Sequence, residues 1–237
     1  MKLSSFFALG VCSMVASAQT PGPKYTRLIR EDAAVLIVDH QAGLFTLVHD
    51  FDTTQFYHQV MLHAAIGTAF DLPIIMTTST ESGPTGPMLR EIVELNPNAT
   101  FIRRDGEINA WDNEEFRRAV EATGKKQFII GGIVTEGCTA YLALSMREAG
   151  YEVFANVEAS GTTSELIRNI SNDRMAASGV QLMSAFAIIG ELTRDWRNTP
   201  GAREIFPFLS QYMPPFNVLI QAHQGAVENG TVVPTGA

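Results

Sequence analysis

Six short, mostly apolar runs alternate with six helical patterns between Ala33 and Arg194, and this alternation restricts the fold more than any other property of the chain. The runs at 33–39, 72–76, 100–104, 127–130, 152–157 and 180–184 have the length and apolar content of strands buried on both faces. The segments at 56–70, 88–95, 114–122, 141–147, 164–178 and 187–194 carry apolar residues at helical spacing, and the third is closed by Thr123-Gly124. Strand followed by helix, six times over, predicts a mostly parallel sheet with helices on both faces. Beyond it, 196–237 is turn-rich at Asn198-Thr199-Pro200-Gly201, then amphipathic, then a polar tail. With 237 residues, 46% of them hydrophobic, the chain can bury one large core. No interior stretch reads as a linker or repeat.

In such a sheet ligands bind at the carboxyl ends of the strands, near the point where strand order reverses. The first strand ends in Asp39-His40-Gln41, the third in Arg103-Arg104-Asp105, and the fourth in the stretch from Gly131 to Ala140. That stretch reads as a buried strand, a tight turn permitted by glycine, and a helix whose first turn holds Cys138. Unpaired N–H groups and the positive dipole end at a helix start favour a thiolate. Cys138 is therefore a candidate nucleophile, or else a small buried hydrophobe. Asp39 is a candidate base or a turn cap, and Arg104 a candidate charge stabiliser or a surface ion pair. Their convergence on one edge is harder to explain by the bland readings than any one of them alone.

The first eighteen residues stand apart. Lys2, the apolar stretch 6–15 and Ala16-Ser17-Ala18 have the form of a secretory signal peptide cleaved after Ala18, too short to span a bilayer. Secretion is expected, with no membrane association after cleavage. Cleavage removes Cys12, which leaves Cys138 as the only cysteine of the mature chain and rules out an internal disulfide. It also leaves 16 basic against 25 acidic residues, a net charge of −9. With no basic patch, nucleic acid is not an expected partner. Three sequons, at Asn98, Asn169 and Asn229, are candidate glycosylation sites on a eukaryotic secretory route.

These residues resemble the isochorismatase-like cysteine hydrolases, and within them the YcaC-like branch. The likeness runs over about 25–216, leaving 217–237 as a C-terminal extension. It rests on Asp32 to Leu44, Thr77-Thr78-Ser79, Ile108 to Asn113, Val134-Thr135-Glu136-Gly137-Cys138, Ala159-Ser160-Gly161-Thr162 and Asp195-Trp196-Arg197-Asn198. The resemblance implies a three-layer α/β/α sandwich around a six-stranded, mostly parallel sheet. It also implies a catalytic set of Asp39, Arg104 and Cys138. A non-proline cis peptide before Thr135 and an oxyanion hole of backbone N–H groups in the Cys138 turn would come with that set. Many members have Lys where this chain has Arg104; a guanidinium holds charge but does not serve as a base. His40, Gln41, Thr78, Asn109, Trp111 and Thr135 are the candidate substrate-binding residues, with Trp111 equally a candidate oligomer contact. A homo-oligomer is expected.

The activity implied is hydrolysis of a small amide, imide or carbamate through a Cys138 thioester. Two other readings remain: a vinyl-ether hydrolase acting on host isochorismate, and a non-catalytic oligomeric protein of the YcaC type. Nicotinamidases of this superfamily hold a metal with histidines after the second strand, but 77–86 contains no His. No metal or cofactor is expected. No G-x-G-x-x-G follows the first strand and no G-x-S-x-G is present, so dinucleotide binding and serine hydrolysis are poor fits.

Overall fold

The structure, a computed structural model, describes residues 25–232. The expected signal peptide, 1–18, lies outside them. Six strands form one sheet: β1 (Ala33–Val38), β2 (Ile74–Thr78), β3 (Thr100–Arg103), β4 (Gln127–Gly132), β5 (Glu152–Asn156) and β6 (Gln181–Met183). Their order across the sheet is β3-β2-β1-β4-β5-β6, and every pairing is parallel. The helices between them are α1 (Thr53–Phe70), α2 (Arg90–Leu95), α3 (Glu114–Ala122), α4 (Ala140–Glu148) and α5 (Glu165–Ala177); α6 (Ala185–Thr193) follows β6. The expected three-layer α/β/α sandwich is the fold observed, with the sheet wholly parallel.

Side chains of β1 divide strictly between the two cores, as the period of two requires. Ala33, Val35 and Ile37 face the core built with α1, α2, α6 and α7 (Ala202–Tyr212). Ala34, Leu36 and Val38 face the one built with α3, α4 and the Met175 turn of α5. All six are fully buried. At about 1.5–3 kcal/mol for each large apolar side chain removed from water, these two layers hold the central strands in place.

Most element ends are set by local chemistry. Asp52 caps α1 by accepting from the backbone N–H groups of Thr54 and Gln55, which starts the helix three residues before the apolar pattern. Asp71 ends it in the left-handed conformation, with φ 55° and ψ 49°. Gly131 and Gly132 belong to β4 and do not form a turn with positive φ. A Cβ on Gly132 would lie 2.8 Å from the Val38 carbonyl oxygen, so glycine here permits close approach of two strands.

The C-terminal part is more ordered than the sequence suggests. Its amphipathic portion is two helices, α7 and α8 (Pro214–Glu228), joined through Met213, and the expected domain edge at 216 falls inside α8. None of the residues of α8 is buried. No helix among the described residues is long and apolar enough to cross a membrane.

Candidate active site

The strand order reverses between β1 and β4, since β2 and β3 lie on one side of this pair and β5 and β6 on the other. Asp39 follows β1 directly, and Cys138 lies six residues past the end of β4. Asp39 has a φ of 54°, a left-handed conformation uncommon for a residue other than glycine. Cys138 sits in one π-helical turn, Thr135–Thr139, which runs straight into α4. Such single turns recur at functional sites.

Arg104 follows β3 and reaches back across β2. Its Nη2 donates to Asp39 Oδ1, its Nη1 to the Glu107 carbonyl oxygen, and its Nε to Thr77 Oγ1 at 3.0 Å. Both side chains of the Asp39–Arg104 pair are wholly buried. Asp39 Oδ2 has no aligned hydrogen-bond partner. The Cys138 thiol is close enough to that carboxylate for each to shift the other's proton affinity. The site thus holds a fixed carboxylate, with one oxygen committed to a guanidinium and the other open beside a thiol.

Burial dominates the electrostatics. It pushes the Asp39 carboxyl up, while the Arg104 charge and hydrogen bond pull it back. Burial also pushes the Cys138 thiol well above its usual range, and the Asp39 charge beside it adds to the effect. The sequence expectation of a helix-start thiolate is therefore corrected. The dipole of a first turn is worth at most about 2 kcal/mol, less here than loss of water and a neighbouring anion. Both effects favour the thiol form of Cys138 over the thiolate.

The π-helical turn is held from behind by a polar lattice. Thr135 donates its hydroxyl to the Ser160 carbonyl oxygen at 2.8 Å and its N–H to that of Gly161 at 3.0 Å. Thr139 donates its hydroxyl to the Gly132 carbonyl oxygen at 2.8 Å. Ser160 accepts from the Gly132 N–H and donates to the Asn156 carbonyl oxygen. On the outer side Thr162 donates its hydroxyl to Glu136 Oε2 at 2.6 Å and its N–H to Asp50 Oδ1 at 2.8 Å. The non-proline cis peptide is Ile133–Val134, one bond earlier than expected.

Several residues expected to bind substrate have other work. His40 is wholly buried on the α1 side of the sheet, where its Nε2–H donates to the Ala159 carbonyl oxygen at 2.9 Å and its ring lies 6.2 Å from that of His63. It lines no pocket. Gln41 is spent on the loop after β2: its amide N–H groups go to Thr85 Oγ1 and the Gly86 carbonyl oxygen, and its Oε1 accepts from Ser79. Thr78 is buried and donates to Glu81 Oε1 at 3.0 Å. Thr135 is buried in the lattice just described. Asn109 caps the 3-10 turn Ala110–Asp112 through Trp111 N and donates to Ser145 Oγ at 3.0 Å. Trp111 is half-buried, edge-on to Tyr151 at 5.8 Å.

Thr77 belongs to the site although the sequence does not single it out. Its register opposite Val38, one residue before Asp39, places its hydroxyl under the guanidinium. A threonine in that register opposite a strand-end carboxylate was the available signal. Asn98, Asn169 and Asn229 are all exposed, Asn169 on α5. Among the described residues no group of His, Cys, Asp and Glu is arranged to hold a metal ion.

The fold and this constellation define a class, and comparison with known proteins agrees. The family model of the isochorismatase domain matches residues 33–186. The chain is 46% identical over 200 residues to the probable hydrolase YcaC of Escherichia coli (strain K12), covering 84% of this chain and 95% of that protein. It superposes with a TM-score of 0.82 on the E. coli YcaC crystal structure, described as an octameric hydrolase of unknown specificity, at 46% identity over 85% of this chain and 98% of that one. The same score holds for YcaC from Pseudomonas aeruginosa, solved with hexane-2,5-diol and covalent acrylamide, at 47% identity over the same shares. This chain belongs to the isochorismatase family of hydrolases, in the branch that contains YcaC.

Proposed function

We propose that the chain is a secreted cysteine hydrolase that cleaves the C–N bond of a small amide, imide or carbamate. The observation that carries this reading is the open Oδ2 of Asp39 beside a free, buried thiol, with Arg104 fixed on the other oxygen. Asp39 takes the Cys138 proton as sulfur attacks the substrate carbonyl carbon. Backbone N–H groups of the Cys138 turn hold the oxyanion. The C–N bond then breaks, and the leaving nitrogen takes the proton from Asp39. Asp39 next accepts a proton from water, whose oxygen attacks the thioester carbon. The acid leaves and sulfur regains a proton. Arg104 keeps Asp39 oriented and balances its charge throughout.

The covalent acrylamide of the P. aeruginosa relative supports a nucleophile of this kind, since acrylamide is an electrophile that thiolates add to. Intact mass spectrometry of the protein with a panel of small amides and imides tests the reading. An acyl adduct on the Cys138 peptide, matched by release of ammonia or amine and abolished in Cys138→Ser, is expected; turnover undiminished in Cys138→Ser would sink it. Secretion, glycosylation and homo-oligomerisation belong to the same proposal. The first rests on the signal-like 1–18 segment. The second rests on three exposed sequons. The third rests on the octameric E. coli relative and the apolar surface of α8. N-terminal sequencing of native protein should begin at Gln19; a retained Met1 or Lys2 would reject export.

A further inference from the structure

The charge of this molecule is segregated along the strand axis. The segments that follow the strands, 39–52, 79–89, 104–113, 133–139, 157–164 and residue 184, contain nine Asp or Glu residues and one cationic side chain, Arg104. That is a net charge of −8, equal to the formal charge of the entire chain. The described segments that lead into the strands, 25–32, 71–73, 96–99, 123–126, 149–151 and 178–180, carry three acidic and four basic residues, a net charge of +1. Both lysines among the described residues, Lys125 and Lys126, lie at this opposite edge. The excess of negative charge therefore faces the side on which Asp39 and Cys138 lie.

The cations near that edge are already matched, beginning with Arg90 in the first turn of α2, which pairs with Glu94 at 2.7 Å. Arg104 is held by Asp39, Thr77 and the Glu107 carbonyl oxygen. Arg103, at the end of β3, is held by Glu81 at 3.1 Å and lies over the Phe101 ring. Arg168, on α5, is held by the Asp50 carbonyl oxygen at 2.9 Å and by its carboxylate at 3.5 Å. The helix N-termini that would attract an anion are largely capped by the protein: α1 by Asp52, α3 by Asn113, α5 by Ser164 and α6 by Ser184. The uncapped start of α4 is the Cys138 turn, where N–H groups meet a charge that exists only while the carbonyl is under attack. A permanent carboxylate on the substrate would instead face Asp39, whose guanidinium partner Arg104 is already committed, in a loop edge that also carries Glu136 close to Cys138 in sequence.

From these placements we infer that the site selects uncharged substrates: a small carboxamide, imide or carbamate that carries no carboxylate or phosphate of its own. This rests on the nucleophile reading above and narrows it. It also separates the reaction from hydrolysis of a dicarboxylate such as isochorismate. An acidic rim around a weakly screened site changes encounter rates by roughly 10–10³-fold according to the sign of the reactant.

The test uses two alkylating agents of nearly equal shape, iodoacetamide and iodoacetate, followed at the Cys138 peptide by mass spectrometry. The rate ratio is referred to that of N-acetylcysteinamide, a neutral free thiol. At low salt the ratio for Cys138 should exceed the reference by about tenfold or more, fall toward it as salt rises, and fall in Glu136→Gln. Iodoacetate reacting as fast as the reference ratio predicts, or faster, overturns the inference while leaving the nucleophile intact. Ligand-observed NMR on Cys138→Ser protein, with propionamide against propionate, reads the same preference without thiol chemistry. Propionamide should bind and propionate should not; equal or stronger binding of propionate counts against the inference. Failure of the nucleophile reading would show separately, as undiminished turnover by Cys138→Ser.

Discussion

Asp39 and His40 are adjacent in sequence and have opposite fates. The positive φ of Asp39 turns its carboxylate toward Arg104 and Cys138, while His40 is sealed against Ala159 and His63 on the far side. The sequence marks both as polar residues at a strand end, and nothing in residue type tells the one that meets Arg104 and Cys138 from the one that packs against Ala159 and His63. Asp39, Arg104 and Cys138 were legible because each is chemistry-bearing and each follows a different strand. Thr77 was not, because a threonine in a strand is ordinary; only the register shows its hydroxyl under the guanidinium. The histidines carry a prediction of their own. Burial and the neighbouring His63 push His40 down to about 3, and burial pushes His63 down to about 4, against 6.5 for an exposed imidazole. Below pH 6.5 the unfolded chain takes up protons that the folded one refuses, so stability falls with falling pH until the folded values are reached. With two such groups the loss from pH 7 to pH 5 is on the order of 2–4 kcal/mol. Urea midpoints at the two pH values measure it. A midpoint unchanged at pH 5 would contradict the neutral, buried assignment of both rings.

At the scale of elements, the strand–helix alternation was read correctly in order and type through α6, and helix 114–122 to the residue. Errors lie at the ends, where side-chain caps decide. Asp52 extends α1 beyond its apolar pattern, and Thr77 and Thr78 extend β2 beyond its own because they pair with β1 and β3. The two C-terminal helices were blurred because α7 carries Pro207 in its interior and α8 has no buried stripe to reveal it. Gly132 also departs from the turn that the sequence suggests: it lets β4 lie against Val38 and Thr139. Gly132→Ala would put a methyl group 2.8 Å from a carbonyl oxygen of β1. Overpacking of this kind costs about 1–3 kcal/mol. Denaturant unfolding should show that loss together with weakened alkylation of Cys138, since the cysteine turn hangs from this strand; unchanged stability would mean that the strands can separate at little cost.

For the whole molecule, apolar groups remain exposed in a way that one copy does not account for. Val218 and Leu219 on α8 are 67% and 61% exposed, and an aromatic cluster of Phe186, Trp196, Phe206 and Phe216 packs where α6, α7 and α8 meet. The E. coli relative is octameric. Multi-angle light scattering of the protein at micromolar concentration should give a homo-oligomer, with Val218→Asp/Leu219→Asp shifted toward smaller species. A wild-type monomer at that concentration would reject assembly.

The central claim is that Asp39 is the base for a thiol that does not ionise on its own. The most direct measurement is the pH dependence of Cys138 alkylation by iodoacetamide in wild type and in Asp39→Asn, with circular dichroism to show that the variant is folded. The wild type should react at a rate nearly flat across neutral pH, because Asp39 accepts the proton during attack. Asp39→Asn should be slower there and should rise about tenfold per pH unit, as a thiol awaiting spontaneous ionisation does. Identical steep profiles in the two proteins would contradict the assignment of Asp39 as the base.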